Sequence, residues 1–101
     1  MKLKTLFLTA ALSLSIQLSA VPFKLINTGL KSIALWIPGV MNPNLSPMST
    51  SGVDLAVGQK IYFKYKGKKH ILLEVDETLV NEKLNVNRLI EKRKEEIDIR
   101  E

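Results

Sequence analysis

The sequence contains no cysteine and a single histidine, His70. Without thiols there is no disulfide scaffold, no thiolate-ligated metal or redox centre, and no lipid anchor on an N-terminal cysteine. With one histidine, and no glycine-rich nucleophile elbow around any serine, the inventory for a nucleophile, a base and an orienting group is not met. The carboxylates Asp54, Glu74, Asp76 and Glu77 would serve acid–base chemistry only if a cleft spaced them, and a chain this short has little room for a deep one. The expectation is a protein that binds rather than catalyses, with no cofactor. Also missing is an apolar run of the roughly 20 residues a membrane-spanning helix needs.

What is present begins with a leader. Lys2 and Lys4 precede an apolar core that includes Leu6, Phe7, Leu8, Leu12, Leu14 and Ile16, and Ala20 offers a cleavage point. This is the layout of a secretory signal peptide over residues 1–20, although Leu18 stands where a small residue is the commoner choice. An uncleaved, membrane-tethered form is the alternative. Cleavage would leave residues 21–101 as one small domain, secreted or periplasmic, with no transmembrane span. The full chain has 15 basic and 10 acidic residues, and losing Lys2 and Lys4 reduces its net charge from +5 to +3. That balance is ordinary for solubility and does not indicate specific nucleic-acid binding.

Periodicity places the elements of that domain. Phe23 and Leu25, then Ile33, Leu35 and Ile37, recur at every second position on either side of Asn27-Thr28-Gly29, predicting a strand, a turn and a second strand. Residues 38–52 hold three prolines, two glycines and no regular alternation, which predicts a long, stiffened loop. Val53, Leu55 and Val57 form a third alternating strand. Ile61, Phe63 and Tyr65 face Ile71, Leu73 and Val75 across Gly67, predicting a hairpin. A three-residue loop at Lys66-Gly67-Lys68 would set Phe63 against Ile71, Ile61 against Leu73, Lys64 against His70 and Tyr62 against Leu72; a two-residue loop would shift this pairing by one. Asn85 then precedes Val86, Leu89, Ile90 and Ile97 at helical spacing, predicting an amphipathic helix over about 86–99. The predicted fold is mainly β: a small antiparallel sheet or sandwich-like domain of about five strands with a C-terminal α-helix.

Two surfaces are candidates for function. Prolines in the 38–52 segment would lower the entropy lost on docking, so Met41, Asn42, Asn44 and Leu45 could meet a protein or glycan partner. The opposing reading is a structural crossover with its methionines buried. The hairpin carries Lys60, Lys64, Lys66, Lys68 and Lys69, and Lys64, Lys66, Lys68, Lys69 and His70 form a cationic finger suited to an anionic envelope surface. Lysines at a hairpin tip also protect an exposed edge from pairing with another chain.

The block from Asn27 to Val75 resembles small exported bacterial proteins with no assigned activity. The resemblance is carried by Lys31-Ser32-Ile33, Ile37-Pro38-Gly39-Val40-Met41-Asn42-Pro43-Asn44-Leu45-Ser46-Pro47, Ser51-Gly52-Val53 and Tyr65-Lys66-Gly67-Lys68-Lys69. It implies an exported bacterial origin and lends no site. The spacing of Met48 and His70 also resembles part of the ligand motif of periplasmic copper chaperones with a cupredoxin-like fold. Ile37 and Leu72 occupy the positions where that family has its other ligands. An exported copper(I) carrier using Met41, Met48 and His70 is therefore one alternative function, and a structural accessory protein another.

Overall fold

The computed structural model describes residues 20–100. Apart from Ala20, the leader read from the sequence lies outside the described residues, as does Glu101. The fold is mainly β with a C-terminal helix. Among the described residues seven strands form: β1 (Val21–Asn27), β2 (Ile33–Ala34), β3 (Asn44–Leu45), β4 (Ser49–Leu55), β5 (Lys60–Tyr65), β6 (Lys68–Glu74) and β7 (Lys83–Asn85). The helix α1 spans Val86–Arg100. No helix among the described residues is long and apolar enough to cross a membrane.

β1 is the centre of one sheet, with β4 antiparallel on one side and β7 parallel on the other. Its side chains alternate as the sequence predicts: Val21, Phe23 and Leu25 point into the core, and Pro22 and Lys24 face out. The second layer consists of the β2–β3 pair and the β5–β6 hairpin, joined where Trp36 and Tyr62 exchange backbone bonds of 3.0 and 2.8 Å. The aliphatic core lies between, with Leu35, Ile37, Leu45, Ile61 and Phe63 of the second layer all buried. α1 closes it by burying Val86 and Ile97. Its start is fixed by Asn85, whose Oδ1 accepts the Arg88 N–H at 3.1 Å, a helix N-cap bond.

Two expectations need correction. The 38–52 segment is not a long loop. Ile33 pairs with Leu45, Ala34 with Asn44 and Ile37 with Met41, which makes residues 33–45 an irregular hairpin. Pro38-Gly39 forms its tip, where Gly39 has φ +77° and the Val40 N–H reaches the Ile37 carbonyl at 2.9 Å, as in a type II turn. Pro43 is tolerated because its carbonyl, rather than the N–H it lacks, receives Leu35 N–H at 2.9 Å. The prolines shape turns and an edge within paired backbone, and the two strands not foreseen, β3 and β7, are only two and three residues long.

The second correction concerns the β5–β6 register. Lys66 (φ 54°) and Gly67 (φ 78°) form a two-residue turn with both central residues left-handed, the geometry whose twist matches a hairpin. Tyr65 therefore faces Lys68, Lys64 faces Lys69, Phe63 faces His70, and Tyr62 faces Ile71. Ile61 still faces Leu73 because the register slips between Ile61 and Tyr62, leaving Leu72 as the extra residue of a β-bulge. The bulge turns Leu72 inward, to 5% exposure, and leaves Ile71 38% exposed. α1 fastens the bulge, since Arg93 Nε donates to the Ile71 carbonyl at 2.7 Å.

Candidate functional site

Pleating decides which side chains share a face. In β5, Ile61 and Phe63 point inward, so Lys60, Tyr62 and Lys64 point out. The Trp36–Tyr62 pairing puts Trp36 on that outer face, and Ile71 opposite Tyr62 extends the row. The next row holds Asn44, Ala34, Lys64 and Lys69: Ala34 pairs with Asn44, Lys64 pairs with Lys69, and Ala34 stands two residues from Trp36 as Lys64 does from Tyr62. In the register set by the Ala34–Asn44 and Ile37–Met41 pairs, Asn42 falls opposite Trp36. Two regions separate in the sequence thus contribute to one surface: aromatic and apolar side chains in the middle, carboxamides at one side and paired lysines at the other.

The charges on this face are unevenly compensated. Lys60 pairs across the strands with Glu74, but Lys64 and Lys69 stand directly opposite each other with no carboxylate in their row. Opposed like charges destabilise a sheet, so the arrangement costs stability and leaves a positive potential. Lys69 Nζ lies 4.7 Å from the centroid of the Trp36 ring, a cation–π contact that orients both groups. Beyond the Trp36–Tyr62 bridge, β2 and β5 are not paired. A groove of about 360 Å³ opens there, lined by Ser32, Ala34 and Lys64, with Ile90 and Lys94 from α1. On the other sheet, a hollow of about 470 Å³ mixes Lys24 and Lys83 with Asp54 and offers no exposed aromatic ring.

The residues singled out in the sequence divide between surfaces. Asn42 and Asn44 are exposed on the outer face, and neither carboxamide is spent on an internal hydrogen bond among the described residues. Leu45, expected as a surface anchor, is 1% exposed and belongs to the core. Met41 sits beside the Pro38-Gly39 turn, 40% exposed, on the opposite parity to Asn42. Of the cationic finger, Lys64 and Lys69 lie on the face. Lys66 and Lys68 are at the tip, and His70 has the inward parity of Phe63, half-buried with its Nε2 3.2 Å from the Tyr65 carbonyl.

Met41, Met48 and His70 are not brought together as ligands. Met41, paired with Ile37 next to the Pro38-Gly39 tip, and Met48, in the turn after β3, lie at opposite ends of the 33–45 hairpin, while His70 packs beside Phe63 and Tyr65. No group of three His, Asp or Glu side chains positioned to hold a metal occurs among the described residues.

The hairpin tip is tied to α1. Lys66 Nζ contacts Asp98 Oδ1 at 2.9 Å, and the Tyr65 hydroxyl donates to the same carboxylate at 3.1 Å. The Lys66 hydrogen bond, helped by that of Tyr65 and by the nearby Lys94 charge, holds the Asp98 pKa below its usual range. A group with a depressed folded-state pKa stabilises above its unfolded pKa and loses that contribution as pH falls through its folded value. Acidification from about pH 4 downward should therefore release the tip, seen as shifts of the Lys66 and Gly67 amide resonances. Asp98→Asn should remove that acid step; its persistence would show that another group controls the tip. Glu96 is lowered by its hydrogen bond to Arg93.

Sequence reading did not single out Trp36, which lies in the middle of the candidate face. The phase of Trp36, out of step with Leu35 and Ile37, puts it with Ala34 on the opposite face of the strand, but two apolar residues there read as a face covered by protein. No family model, no curated protein and no solved structure matches the chain.

Proposed function

We propose that this chain is an exported, non-enzymatic binding module of the bacterial envelope that holds an acidic polysaccharide on the outer face of its second β layer. The observation that supports this reading is the convergence of Asn42, Asn44, Trp36, Tyr62, Lys64 and Lys69 on one side of the sheet. Aromatic rings give sugar rings an apolar surface to lie on, carboxamides both donate to and accept from hydroxyls, and ammonium groups attract carboxylates without demanding one geometry. The lysines suit a repeating, diffuse anion better than a single phosphate, for which the bidentate fork of arginine is the stronger device. The residues of the proline-containing hairpin and those of the lysine hairpin act as one site in this account.

Calorimetric titration with polygalacturonate, with neutral dextran as the control, tests the proposal. Polygalacturonate should bind, and its affinity should fall steeply as salt is raised past the range where exposed charges are screened. Dextran should bind weakly or not at all. Trp36→Ala should reduce polygalacturonate affinity by about tenfold, the scale of a lost aromatic contact. Equal binding of both polymers, or a flat salt response, would overturn the reading.

A further inference from the structure

At the end of the molecule where β1 finishes, the loop 28–32 and the Pro47-Met48 turn between β3 and β4 meet. The Met48 N–H donates to the Gly29 carbonyl at 3.1 Å. Leu30 in the loop is 85% exposed and Met48 in the turn is 70% exposed, so two large apolar side chains stand in solvent on adjoining loops.

Three observations show that this tip is held in place. Met48 has φ 54°, in the left-handed region that glycine and asparagine occupy easily and an ordinary side chain enters at a cost. The same chain uses the easy solution at Pro38-Gly39, where glycine fills the left-handed position after proline. Beneath the tip, buried Asn27 binds both loops: its Nδ2 donates to the carbonyls of Lys31, Leu45 and Ser46, and its Oδ1 accepts the Gly29 N–H. Asn87 of α1 supports the same loop, accepting the Thr28 N–H at 2.7 Å.

We infer that Leu30 and Met48 form a membrane-inserting tip that enters the apolar layer beneath anionic lipid headgroups. Both are exposed, flexible aliphatic side chains on surface loops, which suits a fluid layer rather than a shaped pocket. The charge pattern selects the surface: Lys31 stands beside Leu30, and no charged residue follows it until Asp54, so nothing acidic in either loop opposes an anionic headgroup. The fixed loops also reduce the entropy lost when the tip inserts. This inference stands independently of the polysaccharide site, which occupies a different face.

Co-sedimentation of the purified protein with phosphatidylglycerol-rich vesicles, against pure phosphatidylcholine vesicles, provides the test. The wild type should prefer the anionic vesicles. Leu30→Ser and Met48→Asn should each lower that binding by about tenfold or more, the scale of one buried aliphatic side chain. Met48→Asn should at the same time keep or raise the melting temperature, because asparagine accepts the left-handed backbone. A merely structural role for Met48 would not separate the two readouts. Trp36→Ala should retain vesicle binding, which distinguishes failure of this inference from failure of the polysaccharide reading. Wild-type protein that ignores anionic vesicles, or tip variants that bind them as the wild type does, would overturn the inference. So would concentration-dependent dimerisation abolished by Met48→Asn with vesicle binding intact, since a second copy would then be the partner of the tip.

Discussion

Asn27→Ala should be among the most destabilising single substitutions in the chain, lowering unfolding free energy by about 3 kcal/mol. Asn27 is 1% exposed and is the only buried polar side chain among the described residues. Its Nδ2 reaches the Lys31 carbonyl at 2.8 Å and those of Leu45 and Ser46 at 3.1 Å each, while its Oδ1 accepts the Gly29 N–H at 2.9 Å. Alanine would leave these groups to find water or remain unpaired in a low-dielectric setting, where an unmet polar group costs about 1–3 kcal/mol. For a domain this small the melting temperature should fall by about 15 °C. Asn27→Asp should be at least as damaging at neutral pH, because its carboxylate would face three carbonyls. That aspartate's folded-state pKa would be raised, so the variant should regain stability as pH falls toward the unfolded value of about 4. Urea unfolding of both variants at pH 7 and pH 4 checks the account. A loss below about 1 kcal/mol for Asn27→Ala would show that the hub is dispensable.

The position of Asn27 also shows where sequence reading stops. An asparagine followed by threonine and glycine reads as a turn, and the chain does turn there. Its inward orientation depends on which carbonyls arrive from residues 45 and 46, contacts set by folding over long sequence separations. The alternating segments were legible in part: β1, the β5–β6 hairpin and α1 fall where hydrophobic spacing puts them, whereas β4 begins at Ser49, inside the expected loop, and ends before Val57, and the strand expected through Ile33, Leu35 and Ile37 is regular only at Ile33–Ala34 and continues as the isolated pairings of Trp36 and Ile37. β3 and β7 were not, because two or three residues carry too little pattern to display a period. Three prolines also disguised β3 as loop, although each of them lies at a turn or an edge where no N–H is needed.

The site was half legible for a similar reason. Composition marked the lysine hairpin and the 38–52 segment, but as separate surfaces. Their union follows from the single Trp36–Tyr62 pairing and from a two-residue turn that sets Lys64 against Lys69. Composition alone also could not separate exposed Asn44 from its neighbour Leu45, which the pleat turns into the core.

Reversing both lysines should have the largest effect on binding. Lys64→Glu/Lys69→Glu replaces an uncompensated cationic pair with an anionic one, and should reduce affinity for polygalacturonate by about 100-fold or more at low salt, consistent with the several kcal/mol that like-charge juxtaposition costs at an interface. Lys64→Glu alone should separate function from stability. It would convert a repulsive cross-strand pair into an attractive one, raising stability by about 0.5 kcal/mol while weakening binding. Calorimetric titration together with urea unfolding reads both effects. A single reversal that leaves affinity unchanged would remove the lysine pair from the site.

The most direct test of the central claim is a map of backbone and indole resonances as a short galacturonate oligomer is titrated into the protein. The account predicts shifts at Asn42, Asn44, Tyr62, Lys64, Lys69 and the Trp36 indole, with Lys24, Asp54 and Lys83 on the other sheet unmoved. Shifts concentrated on that other sheet or at Leu30 and Met48, with the Trp36 indole unchanged, would contradict it.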